Sequence, residues 1–375
     1  MYKNNGKKHK IWYNISNNGD DIIKVTNKYF KKWKIYNDYK KFIYRLKRKQ
    51  KKKKIKKESY EKNTHRIKIS KNQNNVKTQI FQVPNNFSII NNSTEVLTFF
   101  SNINKTIRED KSSILRIFFD MTGIVEMTVD ALIYLIAIIK NIKKEKNKSY
   151  IFGGNMPKNE LCSKIVKESG FLEHMNSTNI ETIRNMKKLR ICSGNNVDVN
   201  VLKGVCDFIN ECVNVGIKGT RKLYTIIGEM MNNATQHAYS DDSDNYAQKW
   251  LLYIENIKSM FKFTFLDTGL SIPNTINKKF FNDFSKSDSS LVVSALNGEM
   301  RSQTKLAYRG EGLPIIKKSV TDGYLKKLNI ISNKACCVLN SNNNEIEIQN
   351  FKIPLNGTLY YGEIDFTEEV QVNDN

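Results

Sequence analysis

The chain has 375 residues, 39% of them hydrophobic, enough apolar material for two or three packed domains and too much for a disordered polymer. Its 61 Lys and Arg stand against 37 Asp and Glu, a formal net charge of +24 that excludes an acidic protein and directs attention to phosphate-bearing or acidic partners. The six cysteines, Cys162, Cys192, Cys206, Cys212, Cys336 and Cys337, show no Cys-x-x-Cys spacing, which argues against a zinc ribbon or disulfide scaffold. They read as reduced thiols, and with no signal-peptide pattern a cytoplasmic protein is expected.

The charge is uneven. Residues 1–70 hold 24 Lys and Arg against five Asp and Glu, a net +19 of the chain's +24. Within them Phe30, Trp33, Tyr36, Tyr39, Ile43 and Leu46 recur every three or four residues, as on an amphipathic helix that runs into a lysine-rich stretch ending at Lys54. Residues 1–75 are therefore expected as a basic extension, helical or disordered. Such a segment could grip nucleic-acid backbone, an acidic partner or a membrane surface, or could be a solvated tail. No helix-turn-helix, zinc spacing or RNA-binding aromatic motif accompanies it.

Next, Ile114–Asp120 reads as a buried strand and Thr128–Ile139 as an apolar helix capped by Thr128, with an apolar run too short to span a bilayer. A strand at Ser149–Phe152, a Gly-Gly-Asn-Met-Pro turn and a helix near Glu160–Lys167 continue a β-α-β-α alternation, which predicts a small parallel or mixed sheet with covering helices over 76–197.

The C-terminal half carries four separated motifs in order. In Glu229-Met-Met-Asn-Asn233-Ala, Glu229 and Asn233 are four apart and lie one turn above each other on a helix. An Asn carbonyl suits Mg²⁺ without adding charge, and a carboxylate one turn away can hold or polarise a water or hydroxyl that attacks a γ-phosphate. Met260–Leu266 alternates like a half-buried strand and delivers Asp267-Thr-Gly269 to a pocket edge, where Asp267 can accept from an adenine amino group and Gly269 lets the backbone approach. Arg309-Gly310-Glu-Gly312-Leu-Pro314 reads as a glycine-rich loop opening a helix, whose free N–H groups suit phosphate. Gly357-Thr358 is the fourth element. Arg301, Lys305 and Arg309 are further candidate phosphate contacts, and Cys336-Cys337 lies in an expected strand.

These residues resemble the ATP-binding domain shared by gyrase, heat-shock chaperone, histidine kinase and mismatch-repair proteins (GHKL, or Bergerat fold), over roughly 200–367. The likeness is closest to anti-sigma-factor serine kinases, whose Glu-x-x-x-Asn-Ala-x-x-His box is matched by Glu229, Asn233, Ala234 and His237. The resemblance implies that Asn233 ligands Mg²⁺, Glu229 is the catalytic carboxylate, Asp267 reads adenine assisted by Thr358, and Gly310 and Gly312 shape the phosphate loop. Two departures stand out. Ser271 occupies the place of a second glycine in Asp-x-Gly-x-Gly, which puts lid motion in doubt, and Pro314 removes one N–H donor from the phosphate-facing turn, which implies slow catalysis. His237 lacks the setting of a phosphoacceptor, so a sensor histidine kinase is not expected. More loosely, residues 76–197 resemble the sulfate-transporter and anti-sigma-antagonist (STAS) domain, in whose strand-to-helix turn Thr128 is the nearest hydroxyl to the phosphorylated serine, with Asp130 nearer that place in the alternative register.

The expectation is thus an α/β chain of two modules, a STAS-like sheet at 76–197 and a Bergerat-type α/β sandwich at 198–370. With Mg²⁺ and ATP as cofactors it would be a slow ATPase or serine/threonine protein kinase in a bacterial partner-switching system. A regulatory protein partner is implied, and a homodimer is left open. The alternatives are a non-catalytic ATP-gated interaction module, or ATP-gated nucleic-acid binding through residues 1–70.

Overall fold

A parallel and an antiparallel β-sheet pack against shared helices in the computed structural model, which describes residues 76–112, 114–143, 149–176, 184–185, 188–236, 248–258, 260–279, 286–299 and 311–366. The expectations for residues 1–75 lie outside these.

The N-terminal half runs β1 (Val76–Gln82), β2 (Asn86–Phe87), α1 (Ser93–Glu109), β3 (Ile114–Asp120), β4 (Glu126–Met127), α2 (Val129–Lys143), β5 (Ser149–Gly154), α3 (Glu160–Glu168) and α4 (Phe171–Asn176). β1, β3 and β5 form a parallel sheet in that order, and β2 pairs with β4. The strand at 114–120, the strand from Ser149 and the helix over 160–167 were legible as hydrophobic blocks; β1 and α1 were not assigned from sequence. α1 is nevertheless amphipathic, with Val96, Leu97, Phe99, Phe100, Ile103 and Ile107 buried at helical spacing.

α2 is different, because twelve of its fifteen residues are buried. A helix can bury that much of its circumference only when walled on every side. The walls are β5 and α4 from its own half and, from the C-terminal half, a second sheet.

That half runs β6 (Arg184–Asn185), β7 (Lys188–Gly194), α5 (Val199–Val213), α6 (Gly216–Gln236), β8 (Trp250–Ile257), β9 (Met260–Asp267), α7 (Ile272–Lys279), α8 (Asp288–Leu296), α9 (Gly312–Thr321), β10 (Lys327–Asn340) and β11 (Asn343–Asp365). Its six strands are antiparallel, in the order β10-β11-β9-β8-β7-β6. The described residues thus form a mixed α/β protein with parallel and antiparallel sheets. Because β7 pairs with β8, the antiparallel sheet draws on residues before 198, on both sides of the boundary expected from the sequence. Residues 75–375 form one compact unit.

Alternation along the strands assigns the two faces of this sheet. Trp250, Leu252, Ile254, Phe261, Phe263 and Phe265 pack with α5, α6 and α9. Leu251, Tyr253, Leu266, Ile331 and Leu359 point the other way, into the core that holds α1 and α2. Polar ties also join the two halves. Tyr134 Oη accepts from the Asn356 amide at 2.9 Å. Lys140 Nζ donates to Gln248 Oε1 at 2.8 Å and to His174 Nδ1 at 2.9 Å, while His174 Nε2 donates to the Ile191 carbonyl at 2.8 Å. Burial holds Lys140 down to about 8 and His174 down to about 4, so the pair is an ammonium donating to a neutral imidazole. Among the described residues no helix is long and apolar enough to cross a membrane.

Thr128 does not cap α2 in the expected way. Its hydroxyl donates to Asp130 Oδ2 at 2.6 Å, and it is Asp130 that ties the helix start to the β2 loop, accepting from the Ile89 amide at 2.7 Å. Asp130 is 1% exposed, and burial, working against these hydrogen bonds, pushes its carboxyl up to about 6. The folded form therefore holds a proton between about pH 4 and 6 that the unfolded chain has released, so this group's stabilisation is fullest at low pH and fades as pH rises through 6. Denaturant unfolding at pH 4.5 and 7.5 should show wild type losing stability relative to Asp130→Asn, by about 2 kcal/mol. A difference between the two proteins that stays constant with pH would show that Asp130 does not titrate there.

Candidate functional site

The buried stripe of α6 is Leu223, Ile226, Ile227, Met230, Met231 and Ala234, at the three-four spacing of a helix lying on a sheet. Glu229 and Asn233 fall beside that stripe, one turn apart and half-buried. Directly over them comes the first residue of α9. A β-carbon added to Gly312 would lie 2.8 Å from Glu229 Oε2 and 3.3 Å from Asn233 Oδ1, so the α9 N-terminus sits against this pair and a side chain at 312 would displace Glu229. The first and third sequence motifs, about eighty residues apart, are thereby in contact.

This N-terminus has no side-chain cap: Glu311, the residue before the helix, makes no capping hydrogen bond to it. Its leading N–H groups follow the usual orphan pattern of a helix start, with one removed by Pro314 at the third position. Burial raises the Glu229 carboxyl above its ordinary range, opposed by a hydrogen bond from the Asn232 side chain. The Asn233 Nδ2 atom is buried with no hydrogen-bond partner.

The second and fourth motifs meet across the sheet. Asp267 ends β9 in register with Thr358 of β11 on one side and Trp250 of β8 on the other. By strand alternation Asp267 and Thr358 point to the same face as Phe265 and Tyr360, the face covered by α6 and α9. Asp267 is 6% exposed; its Oδ1 accepts from the Gly269 amide at 2.8 Å, and no described donor meets Oδ2. Burial pushes this carboxyl up to about 7. Gly269 is buried in the same turn, which Thr268 fastens by donating through Oγ1 to the Gln248 carbonyl at 2.5 Å. Gly357 has φ +93°, and a β-carbon there would come within 2.1 Å of the Asp267 carbonyl oxygen. The Gly-Thr pair is therefore a glycine that lets β11 close on Asp267, followed by a threonine on the same face as Asp267.

Ser332 was missed from sequence. It is fully buried on β10, where its Oγ accepts from the Ile272 amide at 2.8 Å and shares a hydrogen bond with Thr358 Oγ1, also at 2.8 Å. The same-face spacing Leu328, Ile330, Ser332 was a usable signal, but only with β10 recognised as a strand beside Thr358. Ser271 is an N-terminal cap of α7: its carbonyl accepts from Thr275 and its Oγ from the Asn274 amide. Arg309, Gly310, Arg301, Lys305 and His237 lie outside the described residues.

Two clusters thus lie on the same face of the sheet: a carboxylate and an amide on α6 with the α9 N-terminus over them, and a buried carboxylate with two hydroxyls at the strand ends. The sequence matches no protein-family model and no curated protein.

The two glycines predict opposite outcomes on substitution. In Gly357→Ala the new methyl meets backbone at a left-handed φ, so equilibrium unfolding should report a loss of about 2–4 kcal/mol. In Gly312→Ala it meets the end of a flexible side chain; stability should stay within about 1 kcal/mol while Glu229 is displaced. Equal losses in both would contradict the contacts described.

Proposed function

We propose that these two clusters line one recess that binds Mg·ATP in the manner of the GHKL family, and that the chain is a slow ATPase or serine/threonine protein kinase of the anti-sigma-factor type. In this reading residues 76–197 hold the STAS-like module that receives or transmits the signal, with β7 of that span joining the antiparallel sheet. The observation that carries it is the contact of Gly312 with both Glu229 and Asn233, because it brings a helix N-terminus, a carboxylate and a carboxamide to one point. Those are the groups that a triphosphate with its metal needs.

The residues fit the absent groups. The Asn233 carboxamide has a buried nitrogen without a hydrogen-bond partner, so no bond at that nitrogen opposes its turning the oxygen to a cation. Among the described residues no three His, Cys, Asp or Glu side chains gather as a metal cage, which suits an ion held by one amide and by the nucleotide's own phosphates. When bound, Mg²⁺ neutralises phosphate charge. The chain's own part is then threefold. Asp267 Oδ2 accepts from a base amino group, with Thr358 and Ser332 fixing the recess beside it. The α9 N-terminus faces the phosphates. Glu229, its carboxyl raised by burial, takes the proton of the attacking water or hydroxyl.

A second reading, an ATP-gated interaction module with little turnover, is favoured by Pro314, which costs the phosphate-facing turn a donor. One experiment separates the two. Given γ-labelled ATP and Mg²⁺, wild type should move label to phosphate or protein, and Glu229→Ala should bind ATP but slow this by about a hundredfold or more. Asn233→Ala should lose about tenfold or more of the Mg²⁺-dependent affinity. Label left on intact, bound ATP in wild type would select the non-catalytic module, and undiminished affinity in Asn233→Ala would remove the site assignment.

The Asp267 carboxyl near 7 adds a pH signature. A base amino group donates to the ionised form, present above about pH 7, so affinity for ATP at saturating Mg²⁺ should rise by about tenfold between pH 6 and 8. Asp267→Asn should bind more weakly and with that rise abolished; a parallel pH profile in the variant would assign the titration elsewhere.

A further inference from the structure

On the opposite side of β9 and β11, α1 and α2 leave a trough. One cavity of about 390 Å³ runs between α1, Tyr134 of α2 and the 353–356 stretch of β11. A second, of about 180 Å³, shares Asn104, Arg108, Tyr134 and Asn356 with it and continues along α2 to Leu266 and Thr268. The trough-lining stripe of α1 is Leu97, Phe100, Ser101, Asn104, Lys105 and Arg108, one helix face that changes along its length from apolar to hydrogen-bond donors.

The lining is unbalanced. Tyr134 is 3% exposed, its ring held edge-on by Phe100 with centroids 4.8 Å apart. Its oxygen accepts from the Asn356 amide, so its own proton is left to donate, and no described acceptor takes it. Arg108, at the rim, has no described carboxylate partner. The one acid at this rim, Glu109, is 3.9 Å from Lys105 and largely exposed. The Tyr134 phenol, protonated at neutral pH in any case, is pushed further up by burial, to about 12. A buried hydroxyl proton without an acceptor costs free energy that a ligand oxygen would recover.

We infer that this trough is a binding site for a small organic anion, a carboxylate or phosphate ester on an apolar body. Its acidic oxygens are met by Arg108 and the Tyr134 hydroxyl, and its apolar part lies on Leu97, Phe100, Ile353 and Pro354. The volume is that of an ordinary small-molecule cleft, and its mixed lining, an apolar floor with a few convergent donors, is the usual composition of one. It is separate from the recess of Glu229 and Asp267, which faces the other side of the same strands.

Calorimetric titration of the full chain with sodium octanoate and with phenyl phosphate tests the inference, with octanol as the neutral control. At least one anion should saturate a single site. Its affinity should fall by about tenfold or more in both Arg108→Gln and Tyr134→Phe, the size of a lost charge-assisted or buried hydrogen bond, and octanol should bind at least tenfold more weakly. The responding anion distinguishes a carboxylate ligand from a phosphate ester. Arg108 is exposed, so Arg108→Gln should melt like wild type, and it alone decides if Tyr134→Phe does not fold. Saturation by neither anion, equal binding of octanol, or unchanged affinity in a folded variant overturns the proposal.

Discussion

The all-round burial of α2 is the constraint on which the arrangement of residues 75–375 depends. A helix reading Val129-Asp-Ala-Leu-Ile-Tyr-Leu-Ile-Ala-Ile-Ile offers no polar face to water, and each Leu or Ile left exposed would forfeit about 1.5–3 kcal/mol. The three-stranded parallel sheet is too small to wrap it. The antiparallel sheet supplies the missing wall with Leu251, Tyr253, Leu266 and Leu359, and the two halves share one hydrophobic core as a result. The short polar contacts across this interface, Tyr134 to Asn356 and Lys140 to Gln248 and His174, fix register where apolar contact alone is indifferent to small slides.

The same interface has consequences for the recess on the far face. Leu266 and Asp267 are neighbours on β9 that point to opposite sides: one packs beneath α2, the other faces α6 and α9. Thr268 then fastens the strand end to the chain around Gln248, the residue that Lys140 also holds. The geometry of the Asp267 turn is therefore set jointly by both halves of the protein. A trough at the α1, α2 and β11 junction and a recess at the α6, α9 and β9 junction back onto the same two strands.

Three buried or half-buried carboxyls mark where this fold accepts an electrostatic cost. Asp130 is met by a hydroxyl and an amide and serves the start of α2. Asp267 is nearly as buried yet has one oxygen engaged by Gly269 and the other without a described donor, and Glu229 lies under a helix N-terminus. A carboxylate whose hydrogen bonds are satisfied within the fold is structural by default; one held in a recess with capacity to spare is poised for something else.

Local pattern alone determined a good deal. The strand at 114–120, the apolar helix after Thr128, the strand ending at Asp267 and the helix opening at Gly312 each announce themselves within ten or fifteen residues. The one-turn relation of Glu229 to Asn233 follows from helical periodicity. Those features are local because hydrogen bonds and side-chain period are set by near neighbours. What only the tertiary structure decided involves residues far apart in sequence. That β7 joins the sheet of β8, that Ser332 stands beside Thr358, that the Thr128 hydroxyl turns to Asp130 and that Gly312 rests on Glu229 are matters of strand register and helix packing. No short window encodes them, because each requires two distant segments to come within a few ångströms, and glycines at 312 and 357 are informative only once their neighbours across that gap are known.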